Sequence, residues 1–114
     1  MNINEFNELI KEGIVAVDFY SKTCGPCKLL EPILQEVEKE LTNIKFIRIE
    51  AYENLEISNK NNLVSLPTVI VFKDGKEIDR GAFFIISKER LIEWLNNAIT
   101  KKDDKPKEMN KSLL

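Results

Sequence analysis

A chain of 114 residues has room for one ordinary domain with one core, and not for two. With 43% hydrophobic and 32% charged residues it has the balance of a soluble globular protein, and a formal net charge of −2 supplies no basic field for nucleic acid. The opening MNINEFNELIKEG lacks the basic flank and continuous apolar run of a secretory signal, and no apolar stretch approaches the length of a membrane span, so a cytoplasmic protein with no membrane partner is expected.

Phe6, Leu9 and Ile10 recur at helical spacing between Asn4 and Gly13, which predicts a short amphipathic helix. Only Met1 to Ile3 precede it, so any earlier strand is truncated or absent. Ile14 to Tyr20, IVAVDFY, is a near-continuous β-branched and aromatic run, the pattern of a parallel strand covered on both faces. Its one charge is Asp18. From Cys24 onward Leu30, Ile33, Leu34, Val37 and Leu41 fall on one helical stripe, with a kink expected at Pro32. IKFIRIE, Ile44 to Glu50, alternates apolar and polar residues as a second strand, and a short helix is expected after Asn54. Then LPTVIVFKDGKEIDRG reads as strand, Asp74-Gly75 turn, strand, the strongest hairpin signal in the chain. Ser87 can cap a last helix whose stripe is Leu91, Ile92, Leu95 and Ile99, with Trp94 at the core edge. The expected domain spans residues 1–100. Residues 101–114 form a charged, unpatterned tail expected to be mobile. This order predicts an α/β fold with a mixed sheet, an antiparallel hairpin at one side, and helices on both faces.

The chemistry-bearing residues are Cys24 and Cys27, in YSKTCGPCKLL. As a staple they close almost the shortest possible loop, worth only about 2 kcal/mol. A closed zinc site generally needs four Cys or His ligands, and the chain has two cysteines and no histidine, so only a dimer sharing ligands or help from carboxylates could make one. No metal is expected. A redox couple needs two bridgeable thiols, one held as thiolate, and a helix N-terminus supplies both conditions. Cys24, at the helix start, is then the thiolate, and Cys27, one turn further in and more buried, the resolving thiol. Gly25 lets a partner approach closely, and Pro26 suits a first turn that needs no N–H donor.

VDFYSKTCGPCKLLEP resembles the active-site segment of the thioredoxin family, usually V-D-F-W-A-x-W-C-G-P-C-K with a proline later in the same helix. SLPTVIVFKDGKEIDRGAF resembles that family's G-I-P-T strand, hairpin and V-G-A loop, and the likeness runs from about Phe6 to Thr100. It implies a thioredoxin fold with a central sheet of four or five strands. It also implies a thiol-disulfide oxidoreductase with no bound cofactor beyond its own Cys24–Cys27 disulfide, recycling disulfides of protein substrates and itself reduced by a thioredoxin reductase. A monomer is expected.

By position, the resemblance makes Cys24 the nucleophile, Cys27 the residue that resolves the mixed disulfide, and Asp18 the buried acid that exchanges the proton of Cys27. A carboxyl among Val15, Val17 and Phe19 should indeed be desolvated and titrate closer to neutrality than usual. Pro67 matches the family's cis-proline, and Leu66 would offer its backbone to an extended substrate segment. Gly81 and Ala82 match the loop completing the apolar rim, and Thr23, Gly25 and Pro26 complete the substrate side.

Three departures stand out. Thr23 replaces the usual tryptophan, which removes a large apolar contact. The family's lysine near the buried aspartate has no clear counterpart, Phe46 falling closest. The N-terminal strand is missing or short. Two other readings stay open: a reductant or oxidant dedicated to one partner, and a binding module whose cysteines do little. The run Phe83, Phe84, Ile85, Ile86 is expected to pack the last helix against the sheet, and Lys22 and Lys28 to be mainly solvated charges.

Overall fold

The computed structural model describes residues 1–82 and 87–100. Its elements are α1 (Ile3–Ile10), β1 (Ile14–Tyr20), α2 (Gly25–Glu40), β2 (Ile44–Glu50), α3 (Leu55–Lys60), β3 (Thr68–Lys73), β4 (Lys76–Ala82) and α4 (Lys88–Thr100). The apolar run at residues 83–86 and the charged stretch 101–114 lie outside the described residues.

Helix α1 starts earlier than its apolar spacing indicates, because Asn2 and Glu5 form a reciprocal cap. Asn2 Oδ1 accepts the Glu5 N–H and Glu5 Oε1 accepts the Asn2 N–H, both at 2.8 Å. Helix α2 runs unbroken from Gly25 to Glu40 with Pro32 inside it.

The four strands lie in the order β2-β1-β3-β4. β1 and β2 pair in parallel from Ile14↔Ile44 to Tyr20↔Glu50, so residue i of β1 faces residue i+30 of β2. β3 pairs antiparallel with β1 and with β4. The parallel pair thus occupies one inner and one edge position. Asp74 and Gly75 close the β3–β4 hairpin with φ of 51° and 86°, the two left-handed residues of a type I′ turn. The turn is anchored where β1 begins: Asp74 Oδ1 accepts the Gly13 N–H, and the Asp74 N–H donates to the Gly13 carbonyl, each at 2.9 Å.

The run in β1 reads as continuous because the sheet is buried on both faces, yet its side chains still alternate. Val15, Val17 and Phe19 join Phe6, Ile57 and Ile70 under α1 and α3. Phe6 meets the edge of Phe72 with ring centres 5.8 Å apart. Ala16 joins Leu30, Leu34, Val37, Leu91 and Leu95 under α2 and α4. Asp18 follows Ala16 in this alternation and therefore faces the α2 layer.

Gly75→Ala should lower the unfolding free energy by about 1 kcal/mol, because a Cβ disfavours the left-handed backbone the turn requires. Urea denaturation should place its midpoint below that of the parent with an unchanged slope; equal midpoints would contradict the turn type.

Candidate active site

β1 ends at Tyr20, and a tight turn carries the chain into α2. The Cys24 N–H donates to the Ser21 carbonyl at 3.3 Å, and Ser21 Oγ accepts the Thr23 N–H at 3.2 Å. Cys24 then occupies the N-cap of α2 in an extended conformation, with φ −94° and ψ 112°. An N-cap usually presents a side-chain oxygen to the first free amides. Here Cys24 Sγ accepts the Cys27 N–H at 3.1 Å. The same amide and the positive end of the helix would favour a thiolate at Cys24 in the reduced protein.

Cys24 and Cys27 are disulfide-bonded, with Cα atoms 5.3 Å apart. Their surroundings differ. Cys24 is partly exposed, whereas Cys27 is 2% exposed. Cys24 is therefore the more accessible of the two sulfurs. Gly25 has an ordinary φ, and a Cβ placed there would meet no atom within 4 Å, so nothing inside the fold requires glycine at this position.

Asp18 is buried, 4% exposed, beneath this layer. Its Oδ1 has no hydrogen-bond partner, and its Oδ2 accepts from Arg48 Nε at 3.3 Å. Burial pushes its pKa up from 3.8 to about 6, with Arg48 opposing the rise and Glu31 adding to it. The expectation that Phe46 comes closest to the missing lysine is wrong. Phe46 pairs with Ala16, and the parallel register sets Arg48 directly across from Asp18. Arg48 also ion-pairs with Glu31 through Nη1 at 3.3 Å and lies 4.1 Å over the Tyr20 ring. A site cation is present, and Asp18 is less isolated than the sequence implied.

Glu50 is a second residue missed. The strand pattern of β2 assigns it to the polar, outward set, but it is buried at the strand end. Its carboxylate accepts the N–H groups of Lys22 at 2.9 Å, Tyr52 at 2.8 Å and Glu53 at 3.0 Å. These bonds, that from Lys22 first, hold its pKa below the ordinary value. Glu50 so ties the cysteine turn to the β2–α3 loop. Only the register, which pairs Glu50 with Tyr20, reveals this.

On the other side of Cys24 runs an open groove of about 480 Å³ lined by Thr23, Cys24, Tyr52, Leu55, Val64 and Leu66, among others. The Leu66–Pro67 peptide is cis. Pro67 is fully buried behind Leu66, and Thr68 Oγ1 donates to the Ser65 carbonyl at 2.6 Å. Of the residues expected on the substrate side, Thr23 and Leu66 line the groove with Cys24, and Gly25 and Pro26 form the first helical turn. Gly81 and Ala82 lie one strand over, paired with Val69 and Thr68, and do not line it. Among the described residues, no group of three or more His, Cys, Asp or Glu could hold a metal ion, and no helix is long and apolar enough to cross a membrane.

The thioredoxin family model matches residues 1–97. The chain belongs to the thioredoxin family. It is 34% identical over 96 residues to the thioredoxin of Chlamydia caviae, covering 84% of this chain and 93% of the relative. It is 37% identical over 92 residues to the thioredoxin of Bacillus subtilis, covering 80% and 88%. Among solved structures it is similar to Plasmodium falciparum thioredoxin, with TM-score 0.78, 31% identity, and coverage of 84% of this chain and 93% of that one. It is likewise similar to oxidised mitochondrial thioredoxin 3 of Saccharomyces cerevisiae, with TM-score 0.74, 28% identity, and coverage of 84% and 90%. The four-stranded mixed sheet with helices on both faces is a thioredoxin fold, and the protein is a thiol-disulfide oxidoreductase with its redox pair at Cys24 and Cys27.

The buried acid gives the fold a defined pH dependence. Because the folded pKa of Asp18 lies above 3.8, its contribution to stability is complete below pH 3.8 and is lost as pH rises through about 6. Asp18→Asn, which cannot ionise, should therefore be more stable than the parent at pH 7–8, by on the order of 3 kcal/mol, a figure that already includes the opposing pull of Arg48. Thermal unfolding across pH 4–8 should show the difference shrinking below pH 6; a parent as stable as the variant at pH 8 would contradict the burial cost.

Proposed function

We propose that the protein reduces disulfides of protein substrates in the cytoplasm, acting as a monomer, with electrons supplied by a thioredoxin reductase. The observation carrying this reading is the unequal placement of the two sulfurs at one helix N-terminus: Cys24 partly exposed and accepting an amide, Cys27 buried. In the reduced protein the Cys24 thiolate attacks a substrate sulfur, forming a mixed disulfide and releasing the other substrate sulfur as a thiolate. Cys27 then gives its proton to the Asp18 carboxylate and attacks Cys24, and the intermolecular bond breaks with its electron pair leaving on the substrate. Two electrons pass to the substrate, and the Cys24–Cys27 disulfide remains for the reductase to reduce.

The substrate segment is read as lying against Thr23, Gly25 and Pro26 on one side and Leu66, over Pro67, on the other. The Leu66 backbone then pairs with it as an added strand would. Gly81 and Ala82 support the start of β3 from the neighbouring strand, which is how they would act on this loop. The open groove beside Thr23 favours a narrower choice of substrates than a filled one. Among the described residues, Tyr52, Leu55 and Val64 are three of the few large apolar side chains left exposed, at 66%, 58% and 93%, and all three line it.

Insulin reduction, followed by turbidity with NADPH and a thioredoxin reductase, is the direct test. Cys24→Ser should abolish turnover, and Cys27→Ser should accumulate mixed disulfides visible on a non-reducing gel, since the resolving thiol is gone. Equal alkylation rates of Cys24 and Cys27 at neutral pH would overturn the assigned roles. Thr23→Trp should add an apolar contact and lower KM for peptide disulfides several-fold with little change in kcat, as uniform binding does; an unchanged KM would remove residue 23 from the binding surface.

A further inference from the structure

Arg48 is divided between two carboxylates. Its Nε donates to Asp18 Oδ2 and its Nη1 pairs with Glu31 Oε2, each at 3.3 Å, and the Tyr20 ring lies 4.1 Å from its guanidinium carbon. A guanidinium can close on one carboxylate with two parallel N–H groups. Asp18 receives only one, and its Oδ1 is left buried without a partner.

Glu31 stands four residues after Cys27 in α2, so both side chains share one helix face. Together with Arg48 and Tyr20 they line a cavity of about 220 Å³. To this cavity α2 contributes Cys27, Lys28 and Glu31, the preceding turn Lys22, β1 Tyr20, and β2 Arg48. Arg48 and Glu31 are the charged groups that act on Asp18, and β3 sets uncharged Val69 opposite it.

We propose that Glu31 is a positioning residue for the resolving step: by drawing Nη1 to itself it sets the tilt of the guanidinium, so that Nε alone meets Asp18 and the Nε–Nη2 edge does not turn onto the carboxylate in a two-point contact, which leaves the buried carboxyl able to take the proton of Cys27. The proposal rests on the exchange reaction above and on Asp18 as proton acceptor. Removing the charge of Glu31 acts twice in the same direction. It frees Arg48 to hold the ionised Asp18 more firmly, and it removes a negative neighbour, so Asp18 should titrate lower and become a weaker base. The side chains of Arg48 and Glu31 are 35% and 39% exposed, so solvent screens their pair and the effect is graded. Reversing the charge should exceed neutralising it, and Glu31→Asp should preserve it.

The test reads two quantities in the parent, Glu31→Gln, Glu31→Lys and Glu31→Asp proteins. One is the Asp18 side-chain carboxyl carbon, titrated by NMR. The other is the pH dependence of thionitrobenzoate release when Cys27 resolves a Cys24–thionitrobenzoate mixed disulfide. The Asp18 midpoint should fall by about half a unit in Glu31→Gln, further in Glu31→Lys, and stay near the parent value in Glu31→Asp. The acid limb of the release rate should move in the same order. Release in the parent with one common midpoint across the variants, even if their melting temperatures differ, would overturn the proposal alone. A parent that forms the mixed disulfide and never releases thionitrobenzoate would overturn the exchange reading and the proposal with it.

Discussion

A helix must find acceptors for the amides of its first turn, and in α2 one acceptor is the sulfur of Cys24, 3.1 Å from the Cys27 N–H. The rest of the site depends on that substitution of sulfur for oxygen. It sets the more exposed cysteine at the positive end of a 16-residue helix, and it sets the second cysteine one turn inward, where the same helix packs on the sheet. The cap in turn requires that α2 begin just beyond β1. Ser21, Thr23 and the Glu50 carboxylate brace the few residues between them.

The second constraint is the cost of a carboxyl in the buried layer. A fully desolvated, unpaired Asp18 would stay protonated, and one held by a two-point guanidinium contact would stay ionised; either would be a poor proton acceptor near neutrality. The observed arrangement lies between these limits. One oxygen meets Arg48, the other has no hydrogen-bond partner, and Arg48 is shared with Glu31. The parallel register of β1 and β2 is what sets this balance, since it opposes Asp18 to Arg48 and Tyr20 to Glu50 in one stretch of strand. One strand pair thus carries both the acid and the residue bracing the cysteine turn.

In the proposed function, substrate recognition turns on a residue too small for its place in the family pattern. With Thr23 beside Cys24, the wall that a tryptophan would form is open, and the groove extends along α3 past Tyr52 and Leu55. Its rim is apolar, while Ser21, Thr23, Ser58 and Asn59 supply hydroxyl and amide groups within it. On the proposed reading, such a groove would select substrates by shape and apolar contact near Cys24.

The element order, the hairpin turn and the cysteine pair were legible in the sequence because each rests on local physics. Apolar periodicity marks helices and strands, Asp-Gly adopts the left-handed turn, and a C-x-x-C pair after a buried strand meets a helix N-terminus. The burial of Asp18 was legible too, since it sits within an apolar run. Arg48, Glu31 and Glu50 were not, because each gains its role from a partner 17 to 30 residues away, and strand register is not written in either strand alone. In sequence Arg48 and Glu50 are polar members of an alternating strand and Glu31 is one more charge on a helix. Tertiary structure alone brought the three together, since only pairing β2 beside β1 and packing α2 over both sets charges from distant segments within a few ångströms in a partly desolvated space, where they act on one another.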